Sequence, residues 1–191
     1  MQTPKSLIIY LFILGLYGCQ NDQAGRVKCP VNKMNGLTID QEFGAGTSAM
    51  TQCLQKKVAK IKVVYQINKT CLKSDCAKSF ALGNIKNAIK DYQITHGLKN
   101  GIDFEIVAIM HGPGYLLSLN NDAPTPYHTR NPFQSEVQYL LDAGVKIFYC
   151  QNTARTYQTK TPQVMAGIKY VTSGVTALAE YQTRGYSMIQ P

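Results

Sequence analysis

The sequence predicts an α/β protein with a five-stranded parallel sheet flanked by helices. Three observations support this prediction. Short runs rich in β-branched and aromatic residues recur along the chain, and the run at 61–67 is apolar almost throughout, as expected of a strand covered on both faces. The intervening segments show helical spacing of apolar residues. Strands and helices alternate, which is typical of parallel sheets whose right-handed crossovers place every β-to-α loop along one edge.

The elements follow in order from these patterns. The first long helix is expected to be capped by Ser74 or Asp75 and to end before Gly97, since such residues satisfy free backbone groups at helix ends. The second long helix is expected to begin with Pro132 and to end before Gly144, positions that proline and glycine favour. Strands are predicted at 61–67, 103–110, 145–150, 168–171 and 186–190, long helices at 76–96, 132–143 and 174–184, and shorter helical segments at 49–59, 115–119, 152–159 and 163–166.

The amino-terminal residues have the pattern of a targeting segment. Lys5 precedes an apolar run at 7–18 that is too short to span a bilayer comfortably. The run ends in Leu16-Tyr17-Gly18-Cys19, which resembles the lipobox of bacterial lipoproteins. An ordinary secretory signal or a buried terminal strand is the alternative. We therefore expect a lipoprotein signal peptide at 1–18, lipidation of Cys19, a polar tether at 19–59 and the α/β domain at 60–191.

This targeting pattern predicts export. The protein would be a membrane-anchored lipoprotein facing the periplasm, and Gln20, in place of an aspartate, favours the outer membrane. The 191-residue chain carries a net charge of +9. Its basic residues are scattered, so a nucleic-acid surface is not expected, and a basic face that attracts small anions or an acidic partner is the simpler interpretation.

Cys150 is the main candidate for chemistry. It ends a predicted strand and precedes Asn152 and Thr153, which can cap a helix. Open α/β sheets place ligands at this edge, and amide groups at a helix start favour thiolate over thiol. Arg155 lies one turn further on and can approach the sulfur. The alternative is that Cys150 is a small buried hydrophobic residue.

A second candidate group follows the second strand. His111 is expected on the same edge as Cys150, where it would act as a base or bind an anion, unless it only stabilises its own turn. Gly112 and Gly114 meet the backbone demands of a tight turn, and their amide groups are candidate ligand donors.

The remaining cysteines are candidates for disulfides. Cys29 and Cys53 bracket part of the tether, and Cys71 and Cys76 flank the first loop after a strand. Each pair can form a disulfide. Alternatively, Cys71 or Cys76 can act as the resolving cysteine for Cys150. With Cys19 set aside, five cysteines remain, and in an oxidising compartment one thiol is left over. No histidine or cysteine spacing is typical of zinc, so no metal or cofactor is expected.

Six motifs follow one another along the chain: KVVY at 62–65, ALGNIKN at 81–87, HGPG at 111–114, VKIFYCQNT at 145–153, VTSG at 171–174 and GYSMIQP at 185–191. Taken together, they resemble the DsrE/DsrF-like sulfur-relay family, which includes YchN-type proteins. This resemblance covers about residues 60–191. It implies a three-layer flavodoxin-like fold and, in some members, a persulfide on the cysteine that matches Cys150. Members of the family form homo- or hetero-trimers and hexamers, and for this chain we expect a homo-oligomer.

These observations lead to three functional hypotheses. The first is a sulfur carrier or sulfurtransferase that uses Cys150 and exchanges sulfur with a small-molecule or protein donor and acceptor. The second is a non-enzymatic oligomeric binding or assembly module in which Cys150 is structural. The third is a redox protein that pairs Cys150 with Cys71 or Cys76.

Overall fold

A parallel sheet organises the computed structural model, which describes residues 36–51, 54, 59–70, 79–121 and 131–191. Its strands are β1 (Ile61–Ile67), β2 (Phe104–Met110), β3 (Lys146–Cys150), β4 (Lys169–Val171) and β5 (Ser187–Ile189). They pair in the order β4-β3-β2-β1-β5, and every pairing is parallel. The predicted fold class is confirmed, and each predicted strand end lies within one residue of the observed end.

The helices lie between these strands. They are α1 (Ile39–Phe43), α2 (Thr47–Met50), α3 (Phe80–Lys90), α4 (Gln134–Asp142), α5 (Gln151–Thr156) and α6 (Gly174–Thr183). A π-helical turn at Asp91–Thr95 extends α3, and 3-10 helices occupy Gly112–Ser118 and Thr161–Gln163. The helix predicted at 115–119 thus begins earlier, at Gly112, and the turn predicted at 163–166 lies at Thr161–Gln163.

The predicted cap of the first long helix is wrong. Ser79 is the N-cap of α3, and its side chain accepts a hydrogen bond from the Leu82 amide. The helix therefore begins at Phe80 rather than at 76. The residues proposed as caps, Ser74 and Asp75, lie outside the described part of the chain. Three serine or aspartate side chains within six residues can each supply a capping oxygen, so sequence alone does not select among them.

Alternate residues of the strands face two separate cores. On one face, Val63, Tyr65 and Ile67 of β1 pack in the cluster that holds α3 and α4. On the other face, Val64 packs with Ala177 and Leu178 of α6. Two helix layers therefore cover the sheet, as the three-layer prediction requires.

The order of the strands creates a crevice beside β3. The chain steps from β1 through β4 in one direction and then returns to place β5 beside β1. As a result, α5 starts on the α3/α4 face, whereas the chain leaving β4 enters α6 on the opposite face. In open α/β sheets, ligands bind where adjacent connections turn to opposite faces. Here that point lies between the carboxyl ends of β3 and β4.

The opposite, amino-terminal edge of the sheet is held by a charged network around Glu105. Its carboxylate accepts hydrogen bonds from Lys60 Nζ at 3.0 Å, Lys146 Nζ at 2.6 Å and the Tyr186 hydroxyl at 2.5 Å. Partial burial alone would raise the pKa of Glu105, but the hydrogen bonds from Lys146, Tyr186 and Lys60 outweigh it and lower the pKa to about 2. The network joins β1, β2, β3 and the start of β5.

Glu105→Gln is expected to lower the free energy of unfolding at neutral pH by about 2 kcal/mol, because the neutral amide cannot pair with two lysines. In the native protein this stabilisation is present above the ordinary glutamate pKa of 4.5 and is lost as the pH falls toward about 2. Urea denaturation across this pH range measures it. The exposed Glu180, which pairs with Arg184 on the surface of α6, provides the control variant Glu180→Gln, which should change stability little. Parallel pH profiles for Glu105→Gln and the native protein would contradict the prediction.

The amino-terminal region is described only in part. Residues 36–51 form α1 and α2, and none of them is buried. Thr38 caps α1 in a capping box with Gln41. Within the described residues, no helix has the length and apolar character needed to cross a bilayer. The domain boundaries stay predictions, because the described residues leave out the predicted signal peptide at 1–18, the lipidation site Cys19 and the tether residues 20–35, 52–53 and 55–58.

Candidate functional site

Cys150 lies where the sequence predicts it, at the carboxyl end of β3. Cys150 lies two residues after Phe148 on β3, so both residues belong to the face of the sheet that packs against α6. Cys150 also pairs in register with Val171 of β4. The residue is buried, with 4% of its surface exposed. The thiol therefore sits in the crevice between β3 and β4, beneath the first turn of α6.

Polar hydrogens surround the sulfur of Cys150. The Gly174 amide, the first of α6, donates a hydrogen bond to Sγ at 3.2 Å. Cys150 is also the N-cap residue of α5, although its side chain makes no capping hydrogen bond in the usual geometry. Burial alone would raise the pKa of the Cys150 thiol, but the Thr153 hydroxyl and the amides of Thr153, Gly174 and Asn152 lower it below its ordinary value. The site thus favours thiolate within a buried setting.

His111 follows β2 and lies on the same face of the sheet as Cys150. Gln66 Nε2 lies 3.0 Å from His111 Nε2, within hydrogen-bond distance. Burial lowers the pKa of His111, so the imidazole is neutral at pH 7. A Cβ atom on Gly174 would lie 2.9 Å from both Cβ and Cγ of His111. His111 and Cys150 therefore both contact Gly174.

Gly112 and Gly114 shape the turn that follows His111. Gly112 has a φ of +50°, a region that favours glycine, and its amide donates to Thr153 Oγ1 at 3.0 Å. Gly114 packs against the end of β1, where an added Cβ would lie 2.2 Å from the Ile67 carbonyl oxygen. Its amide donates to the His111 carbonyl. Both amides predicted as ligand donors thus make hydrogen bonds within the chain.

Arg155 and Asn152 pair with each other on the surface of α5. The Arg155 guanidinium donates to Asn152 Oδ1, and both side chains are exposed. In the described part of the chain, the Arg155 side chain makes its hydrogen bond to Asn152 rather than to the sulfur of Cys150, where it was expected. Instead, it lines a separate cavity of about 540 Å³ with Lys160 and Tyr170.

The sequence also matches a known family over most of this domain. The profile of the DsrE/DsrF-like family matches residues 62–191. The chain belongs to the DsrE/DsrF-like family. This confirms the resemblance carried by the motifs at 62–65, 111–114 and 145–153.

Solved structures of two proteins are similar to this DsrE/DsrF-like chain. One is MTH1491 from Methanobacterium thermoautotrophicum, described as a protein of unknown function, with a TM-score of 0.53 and 21% identity over 69% of this chain and 100% of that chain. The other is the ychN protein from E. coli, with a TM-score of 0.46 and 15% identity over 69% of this chain and 99% of that chain. A search of curated proteins gave no match.

Thr153 is the site residue that sequence reasoning did not identify fully. The sequence indicated its amide and its capping role, whereas the structure adds its hydroxyl, which links the turn after β2 to the neighbourhood of the sulfur. The signal in the sequence was the spacing of three residues from Cys150, which brings a side chain back over the first turn of a helix. Its hydrogen-bond partner, Gly112, lies 41 residues away and cannot be predicted from that spacing.

The other predicted cysteine sites of this DsrE/DsrF-like chain lie outside the described residues. These sites are Cys19, Cys29, Cys53, Cys71 and Cys76, so lipidation and disulfide pairing stay predictions. Cys150 carries a free thiol. In the described ranges, no group of three or more histidine, cysteine, aspartate and glutamate side chains is placed to hold a metal ion.

Proposed function

We propose that this DsrE/DsrF-like protein is a sulfur carrier or sulfurtransferase that holds sulfane sulfur as a persulfide on Cys150. The observation that carries the proposal is the environment of the thiol. Cys150 lies at the edge where open α/β sheets bind ligands, and the Gly174 amide, 3.2 Å from Sγ, is one of several donors that lower the pKa of Cys150. A nucleophilic sulfur needs thiolate character, which this environment supplies.

The reaction requires only the thiolate and a sulfane-sulfur donor. With thiosulfate, the Cys150 thiolate attacks the outer sulfur, the sulfur–sulfur bond of thiosulfate breaks, and sulfite leaves with its electron pair. The product is a persulfide anion on Cys150. An acceptor thiolate then attacks the outer sulfur of that persulfide, takes it away and regenerates the Cys150 thiolate. No external oxidant or reductant is needed.

The α6 amino terminus supports the anionic product. Gly174 begins a helix of ten residues, Gly174–Thr183, whose dipole favours negative charge at its start. Its N-cap, Ser173, makes no side-chain hydrogen bond to the first turn. The neutral His111 packs on Gly174 and adds no competing charge at pH 7. The persulfide anion would thus form next to oriented backbone dipoles.

The test is the mass of the intact protein after incubation with thiosulfate or polysulfide. Native protein should gain the mass of sulfur, and Cys150→Ser should not. Cys29→Ser is the matched control, because it removes a thiol outside the α/β domain and should load normally. A protein that gains no sulfur, or a Cys150→Ser variant that still gains it, would refute the proposal.

Localisation and assembly are part of the same proposal. The lipobox-like ending at Cys19 supports an exported lipoprotein anchored in the membrane and facing the periplasm, most simply on the outer membrane. Its sulfur donor and acceptor, small molecules or proteins, would then be periplasmic. Family membership supports a homo-oligomer, a trimer or hexamer.

The alternative is a non-enzymatic oligomeric binding or assembly module with a structural Cys150. Burial favours this alternative, because only 4% of Cys150 is exposed and inert structural cysteines are commonly buried. Alkylation of the native protein separates the two functions. Modification of Cys150 at neutral pH without unfolding supports the carrier, whereas a thiol that reacts only after denaturation supports the structural role.

A further inference from the structure

The buried hydroxyl of Thr153 can both accept a hydrogen bond and donate one. Thr153 is 8% exposed, and its Oγ1 accepts a hydrogen bond from the Gly112 amide at 3.0 Å. Among the described residues, no oxygen or nitrogen accepts the hydroxyl proton in return. A buried hydroxyl seldom leaves its donor unused, because an unmade hydrogen bond costs free energy.

The sulfur of Cys150 is the acceptor that the position of Thr153 favours for this proton. Thr153 lies three residues beyond Cys150 at the start of α5, so its side chain points back over that residue. We propose that the Thr153 hydroxyl donates to the Cys150 thiolate and that the Gly112 amide, by occupying an oxygen lone pair, fixes the hydroxyl in this donating orientation. Thr153 is then a catalytic group in contact with the reacting sulfur, and Gly112 is a positioning residue.

This arrangement gives the HGPG turn a chemical role. The chain turns sharply at Gly112, whose φ is +50°, and the Gly112 amide donates to Thr153 of α5. A donor chain runs from the Gly112 amide through the Thr153 hydroxyl to Sγ, and each link polarises the next. Together with the Gly174 amide, the sulfur receives donors from both sides of the crevice. The favourable influence of the Thr153 hydroxyl on the Cys150 thiolate agrees with this geometry.

Other titratable groups around the sulfur do not explain the same effect. His111 packs on Gly174, is neutral at pH 7, and faces the site from β2. Tyr149 precedes Cys150 on β3, and burial raises its pKa to about 12. Arg155 on α5 bonds to Asn152, and α6 carries no charged residue before Glu180. Gln66 on β1 is uncharged. A hydroxyl donor is therefore the distinguishing feature.

The test is a thiolate titration that needs no sulfur transfer. The ultraviolet absorbance difference between each protein and its Cys150→Ser counterpart reports the Cys150 thiolate, even when the sulfur is inaccessible to reagents. At a pH below the native pKa of Cys150, Thr153→Val should reduce the thiolate fraction by about tenfold, and Thr153→Ser, which keeps the hydroxyl, should restore it. Circular dichroism checks that each variant is folded.

The role of Gly112 is tested in the same titration. Gly112→Ala should reduce the thiolate fraction by itself but add nothing in the Thr153→Val background, because the amide acts through the hydroxyl. Equal titrations for Thr153→Val and native protein, or a Thr153→Ser variant as impaired as Thr153→Val, would overturn the inference.

The inference rests on the proposed sulfur function, but the two fail separately. If the Thr153 variants shift the titration as expected and no sulfur is loaded, the persulfide proposal fails and the hydroxyl assignment stands. If Cys150 loads sulfur and the Thr153→Val titration matches that of native protein, only the assignment of Thr153 fails.

Discussion

Gly114→Ala is expected to destabilise the fold by about 3 kcal/mol or more. The added Cβ would lie 2.2 Å from the carbonyl oxygen of Ile67 and 2.8 Å from its carbonyl carbon. Both atoms belong to the backbone of a buried strand, so no side chain can rotate away. Relief requires the HGPG turn to separate from the end of β1. The midpoint of chemical denaturation measures the loss.

Gly83→Ala is the matched control for this substitution. Gly83 lies inside α3, has no atom within 4 Å of an added Cβ, and does not need a positive φ. Alanine is the better helix former, so this variant should gain about 0.5–1 kcal/mol. Similar stabilities for Gly114→Ala and the native protein would show that the turn does not pack on β1 as described.

Gly174→Ala is expected to reduce sulfur loading on Cys150 by about tenfold or more, with a stability loss of about 1–3 kcal/mol. Its Cβ would lie 2.9 Å from Cβ and Cγ of His111, which are held close to the backbone. The first turn of α6 must shift to relieve this contact, and the shift withdraws the Gly174 amide from Sγ. Intact mass after a short exposure to thiosulfate measures the loading rate.

A double variant shows whether His111 transmits this effect. His111→Ala removes the ring contacts but keeps Cβ, so Gly174→Ala in this background should recover part of the stability and loading lost in Gly174→Ala alone. Strictly additive losses would contradict the contact between these two residues. A Gly174→Ala variant that loads at the native rate would show that the α6 amide is not needed.

The strands and the candidate thiol were predictable because their signals are local. The apolar run at 145–150 marks β3 through side-chain composition, and Cys150 follows from the end of that run. His111 was likewise placed at the end of β2 by the HGPG turn. The cap of α3 at Ser79 was not predictable in the same way, because neighbouring serine and aspartate residues offer equivalent capping oxygens.

The sequence by itself determined the α/β class, the five strands and the position of Cys150 at a strand end, since hydrophobic periodicity and turn residues act over short distances. Only the tertiary structure decided the strand order that opens a crevice between β3 and β4. It also decided that Gly174 rather than Arg155 contacts the sulfur, and that Gly112 holds Thr153. These contacts join residues 24 and 41 positions apart, where pairing depends on how the chain crosses the sheet.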